Sequence, residues 1–152
     1  MTSMDDLTSR ERVELTLARI ADPAGEGARV FTKVYADTAR AEADHSDRLR
    51  RAGIVRSAVD GLPVSVKDLF DVGGDVTRAG SKILSTAAPA QRDAAAVARL
   101  RAAGAVIVGR TNMVEFAFGV IGANPHYGTP KNPFDRAHGR IPGGSSSGAA
   151  VA

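Results

Sequence analysis

The chain has 152 residues, 43% of them hydrophobic, which is enough for one globular domain with a buried core. It contains no cysteine, which excludes disulfides and cysteine-ligated metals and suits a reducing cytoplasm. The net charge is +3, from 20 basic and 17 acidic residues, and only 5% of the residues are aromatic, so the composition does not favour direct nucleic-acid binding.

Membrane and export signals are not evident in the sequence. No apolar run reaches membrane-spanning length, and the N-terminus carries acidic and polar residues where a signal peptide would be basic and then apolar. We therefore expect a cytoplasmic protein without a membrane partner.

The first part of the chain predicts two helices. Thr8 and Glu11 fit a capping box, and apolar residues at helical spacing continue from it to Ala21. Residues 36–52 are rich in alanine and charged side chains, and Gly53 can end this second helix in a left-handed conformation.

Three short segments have the composition of β-strands: residues 30–34, 62–66 and 105–109. The last is fully apolar, as expected of a buried strand, and follows an alanine-rich helix that Gly104 closes. The order helix, glycine, strand is typical of α/β proteins, and we predict an α/β fold. A long loop rich in Gly, Pro, Asn and Asp then covers residues 119–144.

This loop leads to the sequence PGGSSSGAAVA, residues 142–152. Its two glycines lack a Cβ and three hydroxyls follow them, so backbone and hydroxyls can both approach a small ligand closely. Residues 148–152 predict the start of a helix, with Ser146 and Ser147 as N-cap residues. We predict a site here and, because the helix breaks off so early, a truncated protein.

Three ordered blocks resemble the amidase signature family: GLPVSVKDLFDVGG at 61–74, GRTNMVEFAFG at 109–119 and NPFDRAHGRIPGGSSSGAAVA at 132–152. The resemblance implies a single α/β/α domain with a mixed central sheet flanked by helices. This chain would be its N-terminal part, a single partial domain with a leading helical segment at 1–60 and the first part of the core at 61–152.

The resemblance also implies amide hydrolysis by a serine, cis-serine, lysine triad that needs no cofactor or metal. The lysine of the first block falls on Lys67. The cis-serine, which is the first hydroxyl after the paired glycines, falls on Ser145. The attacking serine and the glycines of the oxyanion hole belong to a later block that would follow Ala152. We therefore expect a fragment that is inactive alone.

Amide hydrolysis requires that the attacking alcohol lose a proton and that the leaving nitrogen gain one. A neutral Lys67 amine could take the proton of the Ser145 hydroxyl while Ser145 takes a proton from the attacking serine. The Ser145 hydroxyl could then pass a proton back to the leaving nitrogen. Burial or nearby cations must then lower the pKa of Lys67. The residues expected to contact substrate are Asn112, Met113, Gly143 and Gly144.

Other polar residues have weaker claims to a chemical role. Asp68 is expected to orient the lysine loop and Glu115 to begin a short helix, and neither is predicted to be a catalytic acid. The three histidines, His45, His126 and His138, do not have metal-binding spacing.

Two alternative functions stay open. Residues 144–148 fit the G-x-S-x-G elbow of an α/β-hydrolase-type esterase in which Ser146 attacks, although the preceding AHGRIPG is loop-like. Alternatively, the glycine-serine loop and a following helix N-terminus hold an anion in a noncatalytic binding or subunit module. The family includes hydrolases of several amides and subunits of tRNA amidotransferases. The expected partner is therefore a small-molecule amide, and a subunit role is also open.

Overall fold

The fold is organised around a three-stranded mixed sheet. The computed structural model describes residues 6–152, with strands β1 (Phe31–Val34), β2 (Pro63–Lys67) and β3 (Val106–Thr111). In the order β1-β3-β2, β3 is central and pairs antiparallel with β1 and parallel with β2. The predicted mixed α/β class is confirmed.

In the described part of the chain, four α-helices accompany the sheet: α1 (Ser9–Ala21), α2 (Gly27–Val30), α3 (Ala36–Arg51) and α4 (Ala95–Ala102). The predicted capping box begins α1, where Thr8 Oγ1 accepts from Glu11 N at 3.2 Å and Thr8 N donates to the Glu11 carboxylate at 2.8 Å. Within residues 6–152, every helix is too short or too polar to cross a membrane.

The helices cover both faces of the sheet because alternate residues of β3 point to opposite sides. Val106 and Val108 pack against α1 and α3, whereas Ile107 packs against Val97 of α4. Burying each such side chain contributes about 1.5–3 kcal/mol, so both layers are held on the central strand by apolar contact.

The parallel pair of strands determines where functional groups can meet. A crossover that contains α4 joins β2 to β3, as a parallel connection requires. Lys67, the last residue of β2, is the register partner of Thr111, the last residue of β3. The segments that leave both strands therefore begin at the same edge of the sheet, where α/β proteins commonly bind ligands.

The division of the domain at residue 60 stays a prediction. The leading segment before this boundary contains β1, and β1 pairs with β3 of the later segment. The two segments thus share one sheet.

Three parts of the chain differ from the sequence-based expectation. Val30, predicted in the strand at 30–34, ends the unpredicted short helix α2. The central strand was expected to end at Gly109, but Arg110 and Thr111 continue it, and both residues are buried. Residues 148–152 form turns instead of a helix, with backbone hydrogen bonds of mixed spacing: Val151 N donates to Gly148 O three residues back, whereas Ala152 N donates to the same oxygen four residues back. The Ser147 hydroxyl is buried without a hydrogen-bond partner in the described part of the chain, so its prediction as a helix cap is wrong.

Two glycines that end helices give a test of this fold. Gly53 and Gly104 have φ values of +78° and +92°, as their predicted roles require. A Cβ on Gly53 would meet nothing within 4 Å, whereas a Cβ on Gly104 would lie 2.3 Å from Asp60 Oδ1. We expect Gly53→Ala to lower the free energy of unfolding by about 1 kcal/mol, from the left-handed backbone alone. Gly104→Ala should lower it by about 3 kcal/mol or more, because a collision is added.

Urea unfolding of the two variants and the unchanged chain measures these losses. Gly53→Ala is the matched control, since it carries the same backbone penalty without the collision. Equal losses in the two variants would contradict the packing of Gly104 against Asp60.

Candidate active site

Lys67 reaches from the end of β2 to the glycine-serine loop. Its Nζ donates a hydrogen bond to Ser145 Oγ at 2.7 Å, which joins residues 78 positions apart in the sequence. The peptide bond between Gly144 and Ser145 is cis, as the family resemblance implied. Partial burial lowers the pKa of Lys67, because the charged amine loses hydration. The structure therefore brings together the two groups that the sequence predicts for the relay.

Two backbone hydrogen bonds attach the serine loop to the segment that leaves β3. Val114 N donates to Ser145 O at 2.9 Å, and Gly148 N donates to Asn112 O at 2.9 Å. This segment starts next to the end of β2, so the strand register brings the loop to the lysine.

Asn112 and Met113, two of the four residues predicted to contact substrate, are fully buried. The side-chain amide of Asn112 donates to Arg29 O at 2.9 Å and to Gly128 O at 2.8 Å. Both of its amide hydrogens are therefore already used within the protein. This arrangement favours a structural task for Asn112, and substrate contact by either residue stays a prediction.

Gly143 and Gly144, the other two residues of that set, lie in the irregular, bent segment that directly precedes Ser145. Gly144 packs closely against Gly122, where an added Cβ would lie 2.8 Å from the Gly122 nitrogen. These glycines adjoin the relay directly. Their contact with substrate is likewise a prediction.

A buried ionic cluster that the sequence did not predict lies beside the lysine. The Arg110 guanidinium is fully buried and donates to Asp68 Oδ1 at 3.2 Å, to Asp75 Oδ2 at 3.0 Å and to Phe70 O at 2.8 Å. The available signal was the position of Arg110, which directly continues an apolar strand. A charged side chain at such a position is almost never fully buried without partners.

The carboxylates of this cluster have different environments. Burial raises the pKa of Asp68, although Gly80 N donates to its Oδ2 at 3.1 Å. For Asp75, burial also disfavours the charged form, but bonds from Lys33 Nζ at 2.6 Å and Tyr35 Oη at 2.5 Å hold its pKa well below its ordinary value. Because Asp68 bonds Arg110 and the Gly80 backbone, it orients the segment that follows Lys67, in line with the role expected from the sequence.

A second polar cluster lies next to the Val114 contact. Glu115 Oε1 accepts a hydrogen bond from Ser81 Oγ at 2.6 Å and pairs with His126 Nε2 at 2.8 Å. These two bonds lower the pKa of Glu115. Glu115 also begins the short 3₁₀ helix Glu115–Ala117, which was predicted. Among residues 6–152, no group of three or more His, Asp or Glu side chains is placed to hold a metal ion.

Comparison with known proteins gives consistent matches along the chain. A family model described as Amidase matches residues 11–152. The chain is 49% identical over 147 residues to AtzE, a 1-carboxybiuret hydrolase subunit of Pseudomonas sp. (strain ADP), and the match covers 95% of this chain and 32% of that relative. It is 49% identical over 146 residues to a glutamyl-tRNA(Gln) amidotransferase subunit of Anaeromyxobacter dehalogenans (strain 2CP-C), and this match covers 95% of this chain and 29% of that relative.

Solved structures agree with these relatives. One, described as "An unexpected vestigial protein complex reveals the evolutionary origins of an s-triazine catabolic enzyme", superimposes with a TM-score of 0.89 at 46% identity, covering 97% of this chain and 32% of that one. The native peptide amidase from Stenotrophomonas maltophilia gives a TM-score of 0.81 at 36% identity, covering 97% of this chain and 31% of that one.

The chain thus spans 29–32% of the length of these curated relatives. The family model nevertheless covers nearly all of the chain itself. On that match, the chain belongs to the Amidase family.

Proposed function

We propose that this chain supplies the lysine and the bridging serine of an amide hydrolase that acts on small-molecule amides through a Ser-cisSer-Lys relay. The observation that supports this most directly is the 2.7 Å hydrogen bond between Lys67 Nζ and Ser145 Oγ. Relatives described as a peptide amidase and as part of a 1-carboxybiuret hydrolase support the reaction class.

The proposed relay moves protons in both directions through one hydroxyl. A neutral Lys67 amine accepts the Ser145 proton while Ser145 Oγ accepts the proton of the attacking alcohol, whose oxygen then bonds to the amide carbon. When the carbon–nitrogen bond breaks, Lys67 returns its proton to Ser145, and Ser145 gives one to the leaving nitrogen. The attacking serine is supplied by polypeptide outside these 152 residues.

The esterase alternative has less structural support. A nucleophile elbow must directly follow a buried strand, but the described residues from 119 to 144 form turns, bends and irregular segments. The lysine amine also contacts the hydroxyl of Ser145, which is not the serine that the elbow would use. The anion-binding alternative depends on a helix at 148–152, and turns occupy that position.

A role within a larger complex is a second proposal. Two of the relatives are described as subunits, one of a 1-carboxybiuret hydrolase and one of a glutamyl-tRNA(Gln) amidotransferase. We propose that this chain also works as part of a multi-subunit enzyme. A cytoplasmic location and the lack of direct nucleic-acid contact stay predictions from the sequence.

The purified 152-residue chain should release no ammonia from amides, because the proposed relay has no attacking alcohol or oxyanion hole within it. An ammonia assay over a panel of aliphatic and aryl amides measures this. Ammonia release that disappears in a Lys67→Ala variant would contradict the part of the proposal that places the attacking alcohol outside these 152 residues.

The relay itself can be tested in a chimera in which this chain replaces the matching segment of the AtzE relative, expressed with the other subunits of that hydrolase. We expect hydrolysis of 1-carboxybiuret by the chimera and a fall in kcat of about 10³-fold in both Lys67→Ala and Ser145→Ala, since each removes a proton-transfer step. Ser146→Ala is the matched control and should keep the rate within the same order of magnitude. Loss of activity in Ser146→Ala with retention in Ser145→Ala would instead support the esterase.

The amine of Lys67 should titrate below that of an exposed lysine, because burial lowers its pKa. Competitive acetylation against pH, read by mass spectrometry, compares Lys67 with the exposed Lys82 in the same sample. Between the lowered pKa and the ordinary lysine value the unfolded chain binds more protons than the folded one, so the free energy of unfolding should rise with pH in that window. Lys67→Met should remove this rise in the free energy of unfolding. An acetylation profile of Lys67 that does not differ from that of the exposed lysine would contradict the burial of Lys67.

A further inference from the structure

A strained turn directly follows the residue that holds Ser145. Phe116 and Ala117 have φ values of 51° and 60°, in the left-handed region that non-glycine residues rarely adopt. Ala79 has φ 52° as well, and Phe116 N donates to Ala79 O at 2.9 Å. Each such conformation is unfavourable by about 1–3 kcal/mol and persists only where the surroundings enforce it.

The Glu115 carboxylate connects the segments that carry this strain. Ser81, which is fully buried, donates to Glu115 Oε1 from the segment after Ala79. His126 reaches the same oxygen from the long loop. Hydrogen bonds to an ionised carboxylate are roughly twice as strong as neutral ones, so one side chain fixes three segments together.

A buried amide reinforces the same junction. Asn124 Nδ2 donates to Gly80 O at 2.8 Å and to Met113 O at 2.6 Å, and its Oδ1 accepts from His126 N at 2.8 Å. The residue after Met113 is Val114, whose N–H holds the Ser145 carbonyl. The contacts of Glu115 and Asn124 therefore converge on the hydrogen bond that places the bridging serine.

We propose that Glu115 is a positioning residue for the relay: by binding Ser81 and His126 it locks the Glu115–Ala117 turn, so that Val114 N holds Ser145 within reach of Lys67. This inference rests on the relay proposed above, but it can be tested without turnover. A variant that loosens the turn releases the serine loop and admits water to the lysine amine.

Amide hydrogen exchange of the 152-residue chain, followed by NMR, measures the Val114 hydrogen bond. In Glu115→Ala we expect Val114 N–H to exchange at least about tenfold faster, because bonds to a charged group are lost. The amide of Val106, which donates to Leu62 O beside the central strand, should exchange at an unchanged rate. Glu115→Gln keeps an acceptor oxygen, and Ser81→Ala leaves the bond to His126. In both variants the exchange rate of Val114 N–H should lie between those of the unchanged chain and of Glu115→Ala.

A second readout separates positioning from general stability. In Glu115→Ala the pH midpoint for acetylation of Lys67 should rise, because the amine becomes better hydrated. The matched control is Asp135→Ala, which removes a carboxylate that pairs with His138 Nδ1 at 2.8 Å and with Arg140 Nε at 2.9 Å in an exposed part of the long loop. It should change neither the Val114 exchange nor the Lys67 midpoint.

Three outcomes would overturn the proposal. The first is unchanged exchange of Val114 in Glu115→Ala. The second is equal acceleration of Val114 and Val106, which would mean that Glu115 only adds global stability. The third is faster exchange of Val114 with an unchanged Lys67 midpoint, which would mean that the turn does not place Ser145. An inactive chimera alongside the expected exchange results would refute the proposed function alone.

Discussion

A guanidinium without exposed surface lies near the end of the central strand, and its charge has to be balanced inside the protein. Asp68 and Asp75 balance the charge of Arg110, and both belong to the segment that follows β2. Removing one partner of a buried ion pair typically costs about 3–5 kcal/mol, because the other charge is left uncompensated. The segment after β2 is therefore held against β3 in one arrangement.

This balance has consequences for the position of the lysine. Lys67 directly precedes Asp68, so the end of its strand is fixed by a cluster that takes no part in the proposed proton transfer. Bonds from Lys33 and Tyr35 to Asp75 extend the cluster to β1. The cluster thus connects the three strands at the edge of the sheet where the serine loop lies. It fixes the backbone that directly follows Lys67, and the Lys67 amine itself bonds to the Ser145 hydroxyl.

The features that the sequence predicted correctly depend on local chemistry or on the family blocks. The capping box of α1 and the left-handed glycines at the helix ends involve near neighbours, and the blocks identify Lys67 and Ser145. The partners of Arg110 could not be identified in this way, because Asp75 and Asp68 lie 35 and 42 positions away. Only the fold reveals such pairings. Composition also gave a wrong expectation at residues 148–152, where small residues favour a helix but the chain forms hydrogen-bonded turns.

The two halves of the proposed relay are assembled by different kinds of interaction. A buried ionic cluster fixes the lysine, whereas backbone hydrogen bonds and a strained turn fix the serine. Both sets of contacts, and the hydrogen bond between amine and hydroxyl that they bracket, lie within this chain. Under the proposed function, this part of the enzyme transfers protons, while the attacking alcohol comes from other polypeptide.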